Sequence, residues 1–480
     1  MSVATSTTRL VPGSLLLPRA SQAMLSQVLR RTVRFFFLFL AARKLGPEIF
    51  GTYVFLLAIA ETLSLMTGEG LTDYVAREAA KSPSIARSLF NRVSAVRWLL
   101  ATALGPLAVM VLRLFHYSDD VQWSAAFLFL ILVARGPLAA AQGLFRAANR
   151  MDLLVWLEAA NGAALIGFGM YLLAGAATLR TVIVAEVVSA CAAAVVAVWL
   201  AGRLWARSSG SPVTWRAVWR ATATFNIYPL ITNIYDRVDI VILSVIAGNA
   251  AAGLYALPYR VLATLQIIPF GLTAAVLPGL AARAESPNDK AACLRLATVL
   301  GVLSMFPALV LALLAKPLVH VVLGDSYAAS SDILRLLVWA AIPMFVNYGL
   351  NTFLLARNKE RIFVWTSTVC AIANITLNLI LIPRYNYYAA AGVTIVTEVL
   401  LLIQNVVIIR KTFDFVALPN RLWIPAGVLA LIVAGAQLFG AHFSPLILAA
   451  AACGVFTIVL HFNGSLKEIA DSMSLGVTRA

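Results

Sequence analysis

Apolar residues in this chain run in unbroken blocks instead of alternating. The stretches 121–142, 178–200, 298–314, 362–382 and 393–409 are each almost free of charge. A helix needs about 20 such residues to cross roughly 30 Å of hydrocarbon. Few blocks show the period of two that a membrane β-barrel requires, and helices are the other structure that satisfies its backbone in lipid. The pattern predicts about fourteen spans, near 22–43, 48–70, 93–114, 121–143, 153–175, 179–202 and 222–247, then 250–281, 294–315, 330–355, 362–382, 388–409, 422–440 and 445–462. The connections are short. The longest, 204–221 and 282–293, are about 12–18 residues, too small for a soluble catalytic or nucleotide-binding domain.

The chain also repeats itself. Gly46-x4-Gly51-x-Tyr53 recurs as Gly248-x4-Gly253-x-Tyr255. The run 147–150 recurs loosely at 356–359, and Ile183-Val184-Ala185-Glu186-Val187 recurs as Ile395-Val396-Thr397-Glu398-Val399. Three matches in one order, at offsets of 202 to 212, divide the chain into two parallel six-helix halves. The expected fold class is an all-α polytopic membrane protein with two pseudo-symmetric six-helix halves and two extra C-terminal helices. Its parts are a tail (1–20), a first half (21–203), an interfacial amphipathic linker (204–221), a second half (222–410) and a C-terminal pair (411–480). Internal repeats around a midplane site are common in secondary transporters. Gly46, Gly51, Gly248 and Gly253 are candidates for close helix packing or bending.

Composition agrees: 61% of the 480 residues are hydrophobic and 12% charged, against about 25% charged in soluble domains. The net charge of +16 would suit nucleic acid, but its placement fits membrane topology. With both termini cytoplasmic, inside segments hold about 24 lysines and arginines and outside ones about 7. That asymmetry predicts a multi-pass protein of the cytoplasmic membrane and no nucleic-acid partner. Arg97 is counted there among the inside anchors.

Ionisable groups inside spans carry the chemistry, because each costs several kcal/mol unless paired or hydrated. Gln27, Arg30, Arg31 and Arg34 form one polar stripe of the first span. Asn226, Asn233, Asp236 and Arg237 form the matching stripe of the seventh, with Asp239 close by. Arg135 and Arg260 also fall inside spans, and pairing of these two with Glu61 or Glu158 is the plain structural alternative. The intramembrane cations are all arginine, which suits a phosphate-bearing substrate better than a cationic drug. The expected cationic cavity is lined by Arg31, Arg34, Arg135, Arg237 and Arg260. Glu61, Asp236, Asp239, Glu186 and Glu398 are candidates for coupling to protons or sodium. For Glu186 and Glu398, capping or helix–helix hydrogen bonding is the competing role.

Arg43-Lys44-Leu45-Gly46-Pro47-Glu48-Ile49-Phe50-Gly51-Thr52-Tyr53, and the span ending Gly68-Glu69-Gly70-Leu71, resemble the first hairpin of Wzx-type polysaccharide-unit flippases. These belong to the multidrug/oligosaccharidyl-lipid/polysaccharide exporter superfamily. Asp236-Arg237-Val238-Asp239, Gly253-Leu254-Tyr255-Ala256-Leu257-Pro258-Tyr259-Arg260 and Gly324-Asp325-Ser326-Tyr327 extend the similarity over roughly residues 25–410. The resemblance implies alternating-access translocation of an undecaprenyl-pyrophosphate-linked glycan, with membrane lipid and a polysaccharide polymerase complex as further partners and no cofactor. Two alternatives stay open: a cation-coupled small-molecule exporter of the same superfamily, and a flippase for a lipid-linked peptidoglycan precursor. Enzymatic readings find no phosphate loop and no metal spacing among the four histidines and four cysteines.

Overall fold

The computed structural model describes residues 13–175, 177–205, 213–282, 289–359, 361–416, 422–439 and 444–462, and no strand occurs among them. The first half comprises α1 (Gly13–Met66), α2 (Leu71–Lys81), α3 (Ala86–Leu114), α4 (Asp119–Leu128), α5 (Leu130–Ala147), α6 (Met151–Ala174) and α7 (Leu179–Leu204). The second comprises α8 (Trp215–Ala247), α9 (Asn249–Leu265), α10 (Ile267–Ala282), α11 (Asp289–Leu323), α12 (Ala328–Leu337), α13 (Ala341–Leu355) and α14 (Arg361–Phe413). Two further helices, α15 (Trp423–Phe439) and α16 (Pro445–Phe462), pack against α11.

Two of these helices are hairpins. Arg34 and Tyr53 would lie roughly 28 Å apart on a straight helix, yet both bond Glu186. The chain turns back between them at Gly46, whose φ of 75° suits glycine. Asn378 and Thr394 likewise both reach Asp239, because α14 reverses at Asn386 (φ 53°). Gly248 (φ 90°) makes the equivalent break between α8 and α9.

Nine described segments are long and apolar enough to cross a membrane, so this is a multi-pass membrane protein. The expected count of fourteen is not reproduced on that criterion, for identifiable reasons. The hairpins α1 and α14 each merge two predicted spans. The described parts of α15 and α16 are short, and α8 carries Asn226, Asn233, Asp236, Arg237 and Asp239 along a span. Other boundaries differ too. Helix α1 begins at Gly13, inside the expected tail, and the last part of the expected linker opens α8. Residues 1–12, 206–212 and 463–480 lie outside the described set.

The halves meet at both ends of the bundle. At the Gly46 end, α1 crosses α9 almost backbone to backbone. A side chain on Gly51 would overlap the Asn249 carbonyl, and one on Gly253 the Pro47 carbonyl. Tyr327 Oη adds a bond to the Ala42 carbonyl (3.0 Å). Around this crossing lies the largest apolar core, which includes Tyr53, Leu56, Leu243, Tyr255 and Leu334. At the α2 end, rich in arginine and lysine, the first turns of α8 dock on the first half. Val213 N bonds Ser88 Oγ (2.8 Å), Val218 is buried among α2, α3 and α7, and Arg92 stacks on Trp215. Asn226 Oδ1 accepts from the Gly70 amide (2.9 Å).

Candidate functional site

Between the two ends the halves enclose a cavity of about 500 Å³. Its walls are helical stripes at i, i+3/i+4 and i+7 spacing: residues 30, 31 and 34, then 61 and 65, on the arms of α1, with 69 in the turn that follows; 135, 138, 139 and 142 on α5; 158, 161, 162 and 165 on α6; and 233, 236 and 237 on α8. The stripes are polar because each of these helices turns its apolar side to lipid or to a neighbour. Seven arginines line the space: Arg30, Arg31 and Arg34 from α1, Arg97 from α3, Arg135 from α5, Arg237 from α8 and Arg260 from α9. Five carboxylates face them: Glu61 from α1, Glu69 from the turn after it, Glu158, Glu186 and Asp236. The lining therefore carries two positive charges in excess.

Arg31, Arg34, Arg135, Arg237 and Arg260 thus share one cavity, and each has different neighbours. Arg34 Nη1 pairs with Glu186 Oε2 at 2.7 Å, and Tyr53 Oη donates to the other carboxylate oxygen. Arg237 Nη2 pairs with Glu61 Oε2 at 3.0 Å, bridging the halves beside a bond from Thr62 Oγ1 to Asn233 Oδ1 (3.0 Å). Glu61 is therefore taken by Arg237, not by Arg260 or Arg135. The reason is position: Glu61 and Arg237 face each other where α1 packs on α8. Among the described residues, Arg260 has no carboxylate within ion-pair distance, although Arg237 and Glu61 are electrostatic neighbours. Arg31 faces Asp236.

Arg97 is not the surface anchor expected. It is wholly buried, with Nη1 on the Gly68 carbonyl (2.7 Å), and it touches the cavity lining. Gly136 of α5 packs against it, where a side chain would come within 3.2 Å of Trp98 and 3.4 Å of Arg97. Trp98 Nε1 bonding the Val133 carbonyl (2.9 Å) fixes the crossing. The hint in the sequence is position, as Arg97 lies one turn into its span.

The remaining carboxylates of the second half sit apart. Asp239 accepts from Tyr255 (2.9 Å), Asn378 (2.8 Å) and Thr394 (3.2 Å). Glu398 accepts from Asn347 (3.1 Å) and Tyr235 (3.3 Å). Both line a small pocket that Asp236 also reaches. Neither has a cationic partner among the described residues, whereas Glu61 and Glu186 are each occupied by an arginine. Sequence reasoning missed the tyrosine and amide donors, because polar uncharged residues inside spans are common and carry no distinctive spacing. No group of three or more metal-binding side chains occurs among the described residues.

Residues 19–283 match the family described as polysaccharide biosynthesis protein. The chain belongs to that family. No curated protein matches this polysaccharide biosynthesis family member in sequence. Among solved structures, its fold is similar to a lipid II flippase MurJ in an inward closed conformation, at TM-score 0.70 and 12% identity, over 92% of this chain and 99% of the other. It is also similar to an inward-facing multidrug resistance MATE family transporter of the MOP superfamily, at TM-score 0.64 and 10% identity, over 82% and 98% of the two chains. An outward-facing member of that transporter family aligns at TM-score 0.55 and 11% identity, over 83% and 95%. The family is thus one of polysaccharide biosynthesis, and the fold is the one these membrane flippases and transporters share.

Proposed function

We propose that the protein translocates an undecaprenyl-pyrophosphate-linked oligosaccharide across the cytoplasmic membrane by alternating access, making and breaking no covalent bond. The observation that carries this reading is the charge of the cavity. Seven arginines against five carboxylates leave an excess of two, which balances the two negative charges of a diphosphate diester. Guanidinium groups bind phosphate oxygens in pairs, and they do so more strongly where water is sparse. The same excess repels a cationic drug, which weighs against a multidrug-type exporter. A lipid-linked peptidoglycan precursor carries the same diphosphate, and the arginines do not distinguish it.

Orientation follows from the basic end. If that end faces the cytoplasm, both termini do too, and the cavity lies in the cytoplasmic half with the glycine crossing closing the outer side. The diphosphate then enters among Arg31, Arg34, Arg135, Arg237 and Arg260 while the polyprenyl tail stays in lipid. Arg34 and Arg237 are held in place by Glu186 and Glu61, so little ordering is left to occur on binding. Coupling to a proton or sodium gradient is assigned to Asp236, Asp239 and Glu398, carboxylates of the second half that have no arginine at ion-pair distance among the described residues. A polysaccharide polymerase complex would receive the product.

Leaflet transfer of a fluorescent undecaprenyl-diphosphate oligosaccharide in proteoliposomes tests the reading. Wild type transfers the probe, and Arg34→Gln with Arg237→Gln reduces the rate at least tenfold. Equal rates in folded wild type and double variant would exclude the arginine cavity as the substrate path.

A further inference from the structure

We propose that the α5–α6 wall of the cavity is a glycan subsite in which Gln142, Glu158 and Asn161 bind sugar hydroxyls. This rests on the lipid-diphosphate reading and adds what the diphosphate alone cannot explain. The wall is short of hydrogen-bond donors. Asn161 Oδ1 is buried and has no hydrogen-bond partner among the described residues. Gln142 Nε2 reaches Glu158 Oε1 only at 3.4 Å, the long limit for such a bond. Among the described residues Glu158 has no ion pair, although Arg30 and Arg135 are its electrostatic neighbours.

An ionised diphosphate offers acceptors alone and leaves these acceptors unmet. A sugar hydroxyl donates one hydrogen bond and accepts others, so neighbouring hydroxyls can satisfy the Asn161 carbonyl, the Glu158 carboxylate and the Gln142 amide together. A buried acceptor left unmet costs about 1–3 kcal/mol, so a ligand that supplies the donor is favoured over one that does not.

The wall is also placed to read the group next to the diphosphate. Gly162 packs on Val33, with no side chain to hold the helices apart. Val33 lies between Arg31 and Arg34, so the hydroxyl-binding wall adjoins the arginine wall. Leu138, Ala139 and Leu165 supply apolar ground beside the polar groups, suited to the C–H face of a pyranose ring. Specificity of this kind is steep, because a site built around a hydroxyl leaves buried polar groups unpaired when the hydroxyl is missing.

The test measures binding of two probes to the full chain in lipid nanodiscs: bare undecaprenyl diphosphate and the same lipid carrying a disaccharide. Wild type should bind the glycosylated probe about tenfold more tightly. Asn161→Ala should bring that affinity down to that of the bare lipid and leave bare-lipid affinity unchanged, while Glu158→Ala, which also removes a negative charge from the lining, should abolish the preference between the two probes. Asn161→Asp, which keeps the volume and the carbonyl oxygen, should retain most of the preference, separating recognition from loss of packing. Arg34→Gln should weaken both probes alike. Equal binding of the two probes by wild type, or a preference that survives both alanine variants, would overturn the glycan subsite and leave the diphosphate reading standing. Binding of neither probe by folded wild type would remove that reading, and the subsite with it.

Discussion

Arg237 and Glu61 are each largely shielded from solvent, with 17% and 19% of their side chains exposed, and each stabilises the other across the junction of the halves. Removing one partner strands a charge in a low-dielectric setting, at a cost of about 3–5 kcal/mol. Replacing both with neutral amides removes the stranded charge as well. We therefore expect Arg237→Gln and Glu61→Gln each to lower the melting temperature of the purified protein markedly, and the double variant to recover much of the loss. Transport should stay impaired in the double variant, because the arginine is still absent. Strictly additive destabilisation in the double-mutant cycle would show that the pair is not an energetic unit. The arginines themselves are legible in the sequence, since a charged residue inside an apolar block is conspicuous. Their partners are not: Glu186 is 152 positions from Arg34, and nothing local says which of several intramembrane carboxylates will face it. Arg97 defeats the sequence reading because a charge near a span end is ambiguous between anchoring at the surface and turning inward. Here Arg97 turns inward onto the Gly68 carbonyl, 29 positions away, a partner the local sequence does not reveal.

At the level of elements, α1 crosses α9 almost backbone to backbone at the Gly46 end of the bundle, where it is placed to seal the cavity. Gly51 and Gly253 face each other there, and any side chain would run into backbone on the opposite helix. Backbone cannot rotate away as a side chain can, so the helices themselves must separate. Gly51→Ala or Gly253→Ala should therefore wedge this end open rather than merely loosen the core. A cysteine placed at Val54, buried just below the crossing, should react with a water-soluble thiol reagent several-fold faster in the alanine background than with glycine retained. An unchanged labelling rate in a folded variant would show that the crossing is not the seal. The glycine spacing is legible as a repeat along the chain. The helix reversals at Gly46 and Asn386 are also legible, as paired spans with short connections. The boundaries of α1 and of the linker are less so, since helix propensity continues past the apolar block into Gly13–Ala20, where hydropathy gives no signal.

Over the whole molecule, the two halves share a fold and differ in charge. At the repeat offset of 202, Arg34 of the first half corresponds to Asp236 of the second, while Glu186 corresponds to Glu398 in the later repeat. The first half thus carries its own cation, Arg34, clasped by Glu186 and Tyr53. The second half places an aspartate at the same position, and its carboxylates Asp239 and Glu398 are held by tyrosines and amides instead. On the proposed reading the second half, besides lending Arg237 and Arg260 to the anion cavity, holds a mobile cation or proton at these carboxylates. A carboxylate that binds and releases an ion between states can bias the equilibrium only by its differential affinity for the two states. Neutralising it should abolish the response to a gradient without emptying the arginine cavity. Asp239→Asn and Glu398→Gln should therefore still bind the lipid diphosphate with wild-type affinity, while their transport rate no longer rises when a proton or sodium gradient is imposed on proteoliposomes. Glu186→Gln, by contrast, frees Arg34 from its clasp and should weaken substrate binding with or without a gradient. If Asp239→Asn and Glu398→Gln both kept the full gradient response, neither would be a coupling group, and coupling would have to reside in Asp236, Glu61 or Glu186 beside the arginines.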